Sequence, residues 1–600
     1  MAKQYFSPRN LKFLLHEVLQ AGELTQYEHY KEHDRQSFDM VLDAAKQIGD
    51  NILQPFFVEM DKKEPDLEEG KVAVHTAVKD YLKAMGESGM IGASFSFETG
   101  GQQLPHTIES ALTFMLAAAN NAPTMYTGLT TGAARLIASF GSKTLQEKYL
   151  PKMLDGSWQG TMCLTEPQAG SSLSDISTTA VPTDGGYHKL KGQKIFISAG
   201  DHDQCDNFVH LVLARIEGAP SGTKGISLFV VPKFRQEEKM VENDVLSAGI
   251  YHKMGQKATP AMHLTFGDRD ECHGWLVGEE NKGLKYMFQM MNEARLGVGL
   301  LGAAIASAAY YASLEYALER PQGRKINGKE QKDTPQTTII AHADIRRMLL
   351  FQKSVVEGSL ALLLECAKYA DLEKVTEGDE KEKYILLLDL LTPIAKTFPS
   401  EYGIKSVSEG MQVLGGYGYC SDFPLEQMYR DIRITSIYEG TTGIQSMDLL
   451  GRKVTMQGGK ALMVLAQEIQ ETVSEAMTFE DLKKYAELLQ KEMGRFQQVT
   501  QHLVGFAMKG ALERFLADAN LFMEFSSLVV VSWQWLKQAV VAKRALVTGN
   551  PQGEDLQFYE SKIHTMRYFF SYELPKVKGL ATTLLDDSEV TIEKSTEVLV

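Results

Sequence analysis

The hydrophobic period of this chain changes twice, and no other feature limits its possible folds as strongly. From about residue 36 to 155, apolar residues recur three and four apart in FDMVLDAAKQIGDNIL, AVKDYLKAMGESGM and ESALTFMLAAANNAPTMYTGLTTGAARLIASFG, the spacing that gathers them on one face of a helix. From about 160 to 275 the runs shorten and become β-branched and aromatic, as in HKLKGQKIFIS, NFVHLVLARI, GISLFVVP and MHLTFGD, with Gly, Pro and Asp between them. That pattern predicts a small β domain. After GEENKG (278 to 283) the helical period returns in GLKYMFQMMNEARLGVGLLGAAIASAAYYASLEYALER, IIAHADIRRMLLFQKSVVEGSLALLLECAKYA and EKYILLLDLLTPIAKTFPSEYGIKSVSEGMQVLG. Long helices of this kind pack antiparallel into a bundle. The polar stretches 321 to 336 and 371 to 383 read as solvated connections between them.

The expected fold is mainly α with a central β domain: an N-terminal extension at 1–35, a helical domain at 36–158, a β domain at 159–280, a helical bundle at 281–455 and an additional helical domain at 456–600. A chain of 600 residues needs several such parts, because single cores stop growing at roughly 250 to 300 residues. Its net charge of −15 repels polyanions, which argues against nucleic acid or an anionic membrane as partner. Five scattered cysteines form no framework of close pairs, which suits a reducing compartment and predicts a cytoplasmic protein. The opening MAKQYFSPRNLKFLLHEVLQ has acids and no continuous apolar core, so it reads as neither a secretory signal nor a transit peptide. The uncharged run at 296 to 314 is long enough to span a bilayer, but it is made largely of Gly, Ala and Ser. A tightly packed bundle helix with no transmembrane segment is the expectation.

The candidate chemistry lies in short motifs. GTMCLTEPQAGSSLSD (160 to 175) sits where helices give way to strands, and its small residues and tight turns bring N–H groups and hydroxyls within reach of a planar, polar ligand edge. In LKGQKIFISAG (190 to 200), Phe196 and Ser198 stand two residues apart and therefore on one face of a strand. In ITSIYEGTTGIQ (434 to 445), Glu439 is the only charged residue between Arg433 and Asp448. A loop acid or helix N-cap is its plain alternative.

Together with KMGQKA (253 to 258), NEARLG (292 to 297), YALER (316 to 320) and QVLGGYGY (412 to 419), these motifs resemble, in order and spacing, those of the acyl-CoA dehydrogenase family over residues 36 to 455. The ends, YFSPRNLKFLLHEVL and FYESKIHTMRYFFSYELP, resemble the long bacterial subgroup with an extra helical C-terminal domain, which includes methylmercaptopropionyl-CoA and broad-range fatty acyl-CoA dehydrogenases. The resemblance implies a helical domain, a β-barrel-like middle domain and a helical bundle that hold FAD. It implies that Met162, Leu164 and Thr165 border the flavin and donate to its pyrimidine edge, that Phe196 takes the place of a tryptophan beside the ring, and that Ser198 replaces a threonine that reaches N5. It gives Gly170 and Ser171 to the substrate's phosphates or the flavin chain. Gln412, Gly415 and Gly416, with Arg320 and Gln322, resemble the segment that meets the ADP part of FAD bound by a neighbouring subunit; a helix C-cap followed by a turn explains the glycine pair equally well. Thr441 is assigned to the cofactor, and Tyr438, Gly440, Asn292 and Arg295 to the substrate, Arg295 also orienting the Glu439 loop.

Oxidising a thioester between Cα and Cβ requires a base for the Cα proton and an acceptor for the Cβ hydride. The resemblance makes Glu439 the base and flavin N5 the acceptor. Burial among neutral neighbours would raise the glutamate's pKa toward the task. Some family members carry the base at the position of Ala294, which cannot serve, and Glu293 beside it is turned by about 100° around the helix. The implied protein is a homodimer, or a dimer of dimers, that takes an acyl-CoA and passes electrons to an electron-transfer flavoprotein. The rivals are an oxygen-using oxidase, against which the non-peroxisomal ending EVLV counts, and a DNA-binding relative, against which the acidic charge counts. GDHDQC (200 to 205) and ECHGW (271 to 275) lack paired metal-ligand spacing, so no metal is expected. His342, Asp344 and Arg346 read as surface pairs or subunit contacts.

Overall fold

A computed structural model describes residues 3–325 and 335–592, without the side chains of 289–291. The centre of the 321 to 336 connection and the EVLV ending lie outside the described residues. The chain forms two compact units, Glu28–Ala294 on one hand and Met1–Tyr27 with Arg295–Val600 on the other.

In the first unit, helices Arg35–Ile48 (α1), Ala77–Glu87 (α2), His106–Ala119 (α3), Asn121–Phe140 (α4) and Lys143–Leu154 (α5) precede the strands. Local chemistry sets their starts. Asp34 and Ser37 exchange side-chain and backbone hydrogen bonds at the head of α1, and the Ser142 hydroxyl accepts from Leu145 N at the head of α5.

Eight strands of one sheet follow, beside a separate hairpin of Phe234–Gln236 and Met240–Glu242: Trp158–Cys163 (β1), Thr179–Pro182 (β2), His188–Ser198 (β3), Asn207–Ile216 (β4), Ile226–Pro232 (β5), Val245–Ile250 (β6), Ala261–Phe266 (β7) and His273–Leu276 (β8). They are ordered β6-β7-β3-β8-β5-β4-β1, and β2 pairs with both β3 and β4. The ladder β3-β8-β5-β4-β2 therefore returns to β3, a closed circuit that gives the middle domain its barrel-like form. Closure buries β5 on both faces, so ISLFVVP reads as a continuous apolar run rather than an alternating one. Strand β1 lies against α4 with almost no space: a Cβ on Gly160 would meet Ala133 Cβ at 2.8 Å.

The second unit is helical. Gly283–Glu319 (α6) enters it from the first unit, followed by Ala343–Val375 (α7), Gly378–Leu414 (α8), Leu425–Ile432 (α9), Thr442–Asp448 (α10), Lys460–Ala476 (α11), Lys483–Met508 (α12), Ala519–Thr548 (α13) and Gly553–Tyr568 (α14). α6 is long and apolar enough to cross a membrane, yet 83% of its most apolar stretch is buried inside the fold. Its glycines explain the small-residue run: a Cβ on Gly299 would meet the Ala395 carbonyl oxygen at 2.3 Å, and one on Gly302 the Pro399 carbonyl oxygen at 2.9 Å. α8 contains Pro399, which has no N–H to return to the Ala395 carbonyl four residues back. α13 packs on α7, where Trp535 Nε1 donates to Ser354 O at 3.0 Å. The helices after residue 456 thus share one compact unit with those before it, and so does the N-terminal segment up to Tyr27.

Candidate active site

Each unit carries one set of the residues singled out above. In the second unit, a short 3-10 helix, Arg433–Ser436, leads into a turn in which Glu439 (φ 53°) and Gly440 (φ 88°) are both left-handed. Thr441 then caps α10, its hydroxyl accepting from Ile444 N at 3.2 Å. A non-glycine residue avoids this conformation unless its surroundings enforce it. Two buried side chains do so: Lys396 Nζ donates to Gly440 O at 2.9 Å, and Gln445 Nε2 to Glu439 O at 3.2 Å.

The glutamate itself differs from expectation in two ways. The residue keeps accessible surface and does not lie in the core. Its neighbours are also not all neutral. Desolvation by the packed surroundings raises its pKa, while Lys396 and then Arg295 pull it down. Isolation along the sequence did not mean isolation in space, because both cations arrive from other helices. Burial in turn lowers the Lys396 ammonium to about 8, opposed by Glu401 and Glu439 and assisted by Arg295.

Arg295, 5% exposed, makes its ion pair with Asp448 at the end of α10, 2.9 Å away, while Arg452 takes the other Asp448 oxygen. Arg295 thus fastens the helix that follows the Glu439 turn. Glu293 lies in the first unit and is taken up by Arg135 at 2.6 Å, which also holds Glu109 at 3.0 Å. Asn292 and Tyr438 are half-buried. Tyr438 N donates to Ile434 O at 3.1 Å, closing the turn before the glutamate.

The first unit carries the flavin candidates. Met162, Leu164 and Thr165 run off the end of β1, half-buried, and Gly170 and Ser171 are exposed in the turn beyond. Beneath them lies a fully buried ion pair, Lys194 Nζ to Glu166 at 2.8 Å. Lys194 also donates to Leu164 O at 3.0 Å. Since a peptide unit is planar and trans, anchoring that carbonyl inward aims the Thr165 N–H outward. An outward donor there fits the polar edge of a flavin.

On β3 the pairing partners step from Lys194↔Leu264 to Ile197↔Met262, so Ile195 and Phe196 together oppose His263. This β-bulge puts Phe196 at φ 57° and leaves the residue 58% exposed, with the Tyr251 ring 4.5 Å from its own. Ser198, beyond the bulge, is half-buried. A large ring lifted off a strand and a hydroxyl two residues on fit a planar heterocycle laid beside them, so the residues present suit FAD.

In the second unit α8 ends at Leu414, and Gly415 (φ 61°) donates its N–H to Gln412 O. The glycine pair is therefore a helix stop; a Cβ on Gly415 or Gly416 would meet nothing within 4 Å, leaving open space above the backbone. Gln412 is exposed beside it, and the Arg320 guanidinium lies 5.6 Å over the Tyr417 ring, joining the 320 segment to this turn. Gln322 is held by its backbone, its carbonyl meeting His342 Nε2 at 2.8 Å. Asp344 pairs with Arg347 at 2.9 Å, and Arg346 instead donates to Ala341 O at 2.7 Å. His202 packs edge-on against Tyr126 and Phe208, and burial lowers its pKa to about 3, a core histidine.

Sequence reasoning missed Lys396, Gln445, Glu401 and the Glu166–Lys194 pair. Glu166, Lys194 and Gln445 lie inside the quoted motifs without a role of their own there, Lys396 and Glu401 lie outside them, and only the AK of PIAKTF inside an apolar helix hinted that a buried lysine needs a partner.

The sequence matches the acyl-CoA dehydrogenase N-terminal domain over 36–157, the middle domain over 161–269 and the C-terminal domain over 281–454. Residues 465–594 match a domain described as acetyl-CoA dehydrogenase C-terminal like. The chain is 34% identical over 585 residues to 3-methylmercaptopropionyl-CoA dehydrogenase of Ruegeria pomeroyi, covering 97% of this chain and 98% of that one. It is 34% identical over 584 residues to the broad-specificity linear acyl-CoA dehydrogenase FadE5 of Mycobacterium tuberculosis, covering 94% and 95%. Its fold matches that of an acyl-CoA dehydrogenase complexed with FAD from Bacillus anthracis, with a TM-score of 0.74, 21% identity and coverage of 95% and 91%. With a barrel-like domain between helical ones, a flavin-suited strand edge and near full-length relatives, the chain belongs to the acyl-CoA dehydrogenase family, enzymes that depend on FAD.

Proposed function

We propose that this enzyme oxidises a linear acyl-CoA thioester to the trans-2-enoyl-CoA, with Glu439 as the base that removes the Cα proton, and passes the electrons to an electron-transfer flavoprotein. The observation that carries this reading is the Glu439 turn: an accessible carboxylate, held in a left-handed backbone by two buried donors, with its pKa raised by its surroundings. A base poised above the ordinary carboxylate range is better matched to a weak carbon acid. When bound, FAD supplies the two-electron oxidant.

The chain's residues would divide the remaining work. The outward Thr165 N–H and the neighbouring Met162 and Leu164 hold the flavin's polar edge, Phe196 and Ser198 lie beside its ring, and Gly170 and Ser171 leave room for a phosphate-bearing chain. Tyr438 and Gly440 would border the thioester, Asn292 is the candidate for the CoA portion, and Arg295 holds the α10 side of the turn through Asp448. Thr441 acts through its cap, keeping the turn closed. Gln412, Gly415, Gly416, Arg320 and Gln322 would receive the ADP part of a cofactor from a second copy in a homodimer or dimer of dimers, a reading supported by the open space over the two glycines and by Arg320 over the Tyr417 ring. The names of the relatives, methylmercaptopropionyl-CoA, butyryl-CoA and linear acyl-CoA dehydrogenases, favour a short or linear acyl chain. Five free cysteines support a cytoplasmic setting.

The test is Glu439→Gln in the holoenzyme, assayed on a series of acyl-CoAs with an artificial electron acceptor. The variant is expected to stay folded and yellow while turnover falls roughly 100- to 10,000-fold, the usual contribution of a general base. Substantial remaining turnover would show that the base lies elsewhere. Peroxide release in air from the unmodified enzyme would point to oxygen as the acceptor instead.

A further inference from the structure

The backbone that carries Glu439 is held at two consecutive carbonyls. Lys396, wholly buried on α8, takes the Gly440 carbonyl, and Gln445, wholly buried on α10, takes the Glu439 carbonyl. Because each peptide unit is planar and trans, fixing these carbonyls fixes where the Gly440 and Thr441 N–H groups point and where the glutamate side chain leaves the backbone. A third contact closes the arrangement: Thr442 Oγ1, at the first turn of α10, donates to Glu401 of α8. The turn is thus clamped between two helices rather than shaped by its own sequence.

One member of the clamp is chemically excessive for that task. A neutral amide suffices at Glu439, as Gln445 shows, whereas burying an ammonium at Gly440 carries a large desolvation cost. The charge therefore has a use of its own, and the groups within its field are the carboxylates of Glu401 and of Glu439, the latter on the turn that the ammonium holds. We propose that Lys396 is a positioning residue for the dehydrogenation: it locks the Glu439–Gly440 turn through the Gly440 carbonyl and sets a buried positive charge beside the residue that carries the carboxylate. This rests on the reading of Glu439 as the base.

The other charges around Lys396 leave this assignment intact. Glu401 on its own helix and Arg295 from α6 are the further groups that act on it. Arg295 and Arg452 share Asp448 on α10. On the helices packed against α8, Glu357 and Glu365 of α7 are engaged by Lys353 and Lys562 and by Lys537, and Glu524 of α13 by Lys405 and Tyr402 of α8. At the start of α8, Glu382 and Lys383 pair with Lys460 and Glu468 of α11.

The experiment compares holoenzymes carrying Lys396→Met, Lys396→Gln and Glu401→Gln, with FAD content read from absorbance and kcat and KM followed across pH. Lys396→Met should retain FAD but lose about 10- to 100-fold in kcat, the scale of a small misplacement at a reacting centre, with KM changed less. Loss of the cation should also move the acid limb of the kcat profile up by about one unit. Lys396→Gln, which keeps a donor without the charge, should recover part of kcat but keep the shifted limb. In Glu401→Gln the ammonium loses a stabilising anion, its pKa falls, and the alkaline limb should move to lower pH. An acid limb unmoved in both Lys396 variants overturns the proposal. Should those variants fail to fold, an unmoved alkaline limb in Glu401→Gln overturns it. Glu439→Gln measured alongside separates the two claims: high turnover there removes the base, whereas an inactive Glu439→Gln beside Lys396 variants with the parental profile removes only the role of Lys396.

Discussion

The Glu166–Lys194 pair shows how much a single buried contact supports. Neither side chain reaches solvent. Burial opposes the charge on Glu166, but Lys194, Ser177 N and the Thr178 hydroxyl together hold its carboxyl down at about 2. Removing one member of such a pair strands the other, so Lys194→Met should destabilise the protein by about 3 to 5 kcal/mol. Denaturant unfolding would register this as a lower midpoint, and an unchanged midpoint would contradict it. The pH dependence follows from the sign of the shift. A carboxyl depressed on folding contributes its stability in full above its unfolded pKa and loses it as pH falls through the folded value. This contribution should therefore fade between about 4.5 and about 2 in the parent and be missing from Lys194→Met. LTEPQAGS marks the place of Glu166 in the sequence, but nothing local reveals that its partner stands 28 residues on, on a bulged strand. Glu439 was legible for the opposite reason, because its contrast with its neighbours is local. Of the cations that act on it, Arg295 was tied to its loop only through the family resemblance, and Lys396 not at all.

Elements repeat the lesson at larger spacing. The switches from helical to strand period and back were legible because periodicity is carried by neighbours a few residues apart, and α4, β3 and α6 fall where those switches predict. The bulge at Ile195–Phe196 was not, because it is defined by register against β7 rather than by anything within IFIS. The Gly- and Ala-rich run of α6 could be read as a membrane span or as a packing face until Gly299 was seen against the Ala395 carbonyl. That contact ties stability to chemistry, since Ala395 precedes Lys396. In Gly299→Ala, the added Cβ would lie 2.3 Å from that carbonyl oxygen and force α6 and α8 apart. Overpacking of this kind costs about 1 to 3 kcal/mol. The variant should unfold at lower denaturant and also turn over more slowly, because Lys396 moves with its helix. Normal kcat in a destabilised Gly299→Ala would show that the two effects are separable.

On the scale of the whole molecule, the least legible feature is the chain's start. Residues 1–35 read as an extension, yet the segment up to Tyr27 belongs to the same compact unit as the last helices. Arg9 donates to Asp555 at 3.1 Å and to Tyr559 at 2.9 Å, both on α14, and Asn10 accepts from Lys562 of the same helix. Lys562 is wholly buried and also bonds Glu357 of α7 at 2.8 Å and Gln538 of α13 at 3.1 Å. Phe13, Leu14 and Leu15 are fully buried, with the Phe13 ring 5.3 Å from Phe558. The hydrogen bonds of Arg9 and Asn10 to α14 join positions 546 to 552 residues apart, and no local pattern can announce them. They also make the start of the chain a structural partner of its last helices. Deleting residues 1–27 would uncover apolar surface on α14 and leave the buried Lys562 with one acceptor fewer, a loss that costs more than the bond itself was worth. The truncated protein should therefore melt at lower temperature than the parent, and limited proteolysis should cut first within the helices after residue 550. The helices of the Glu28–Ala294 unit share none of these contacts and should resist the protease as before. Equal melting temperatures, or cleavage that begins in that other unit, would show that the terminal segment is an appendage and not part of the core.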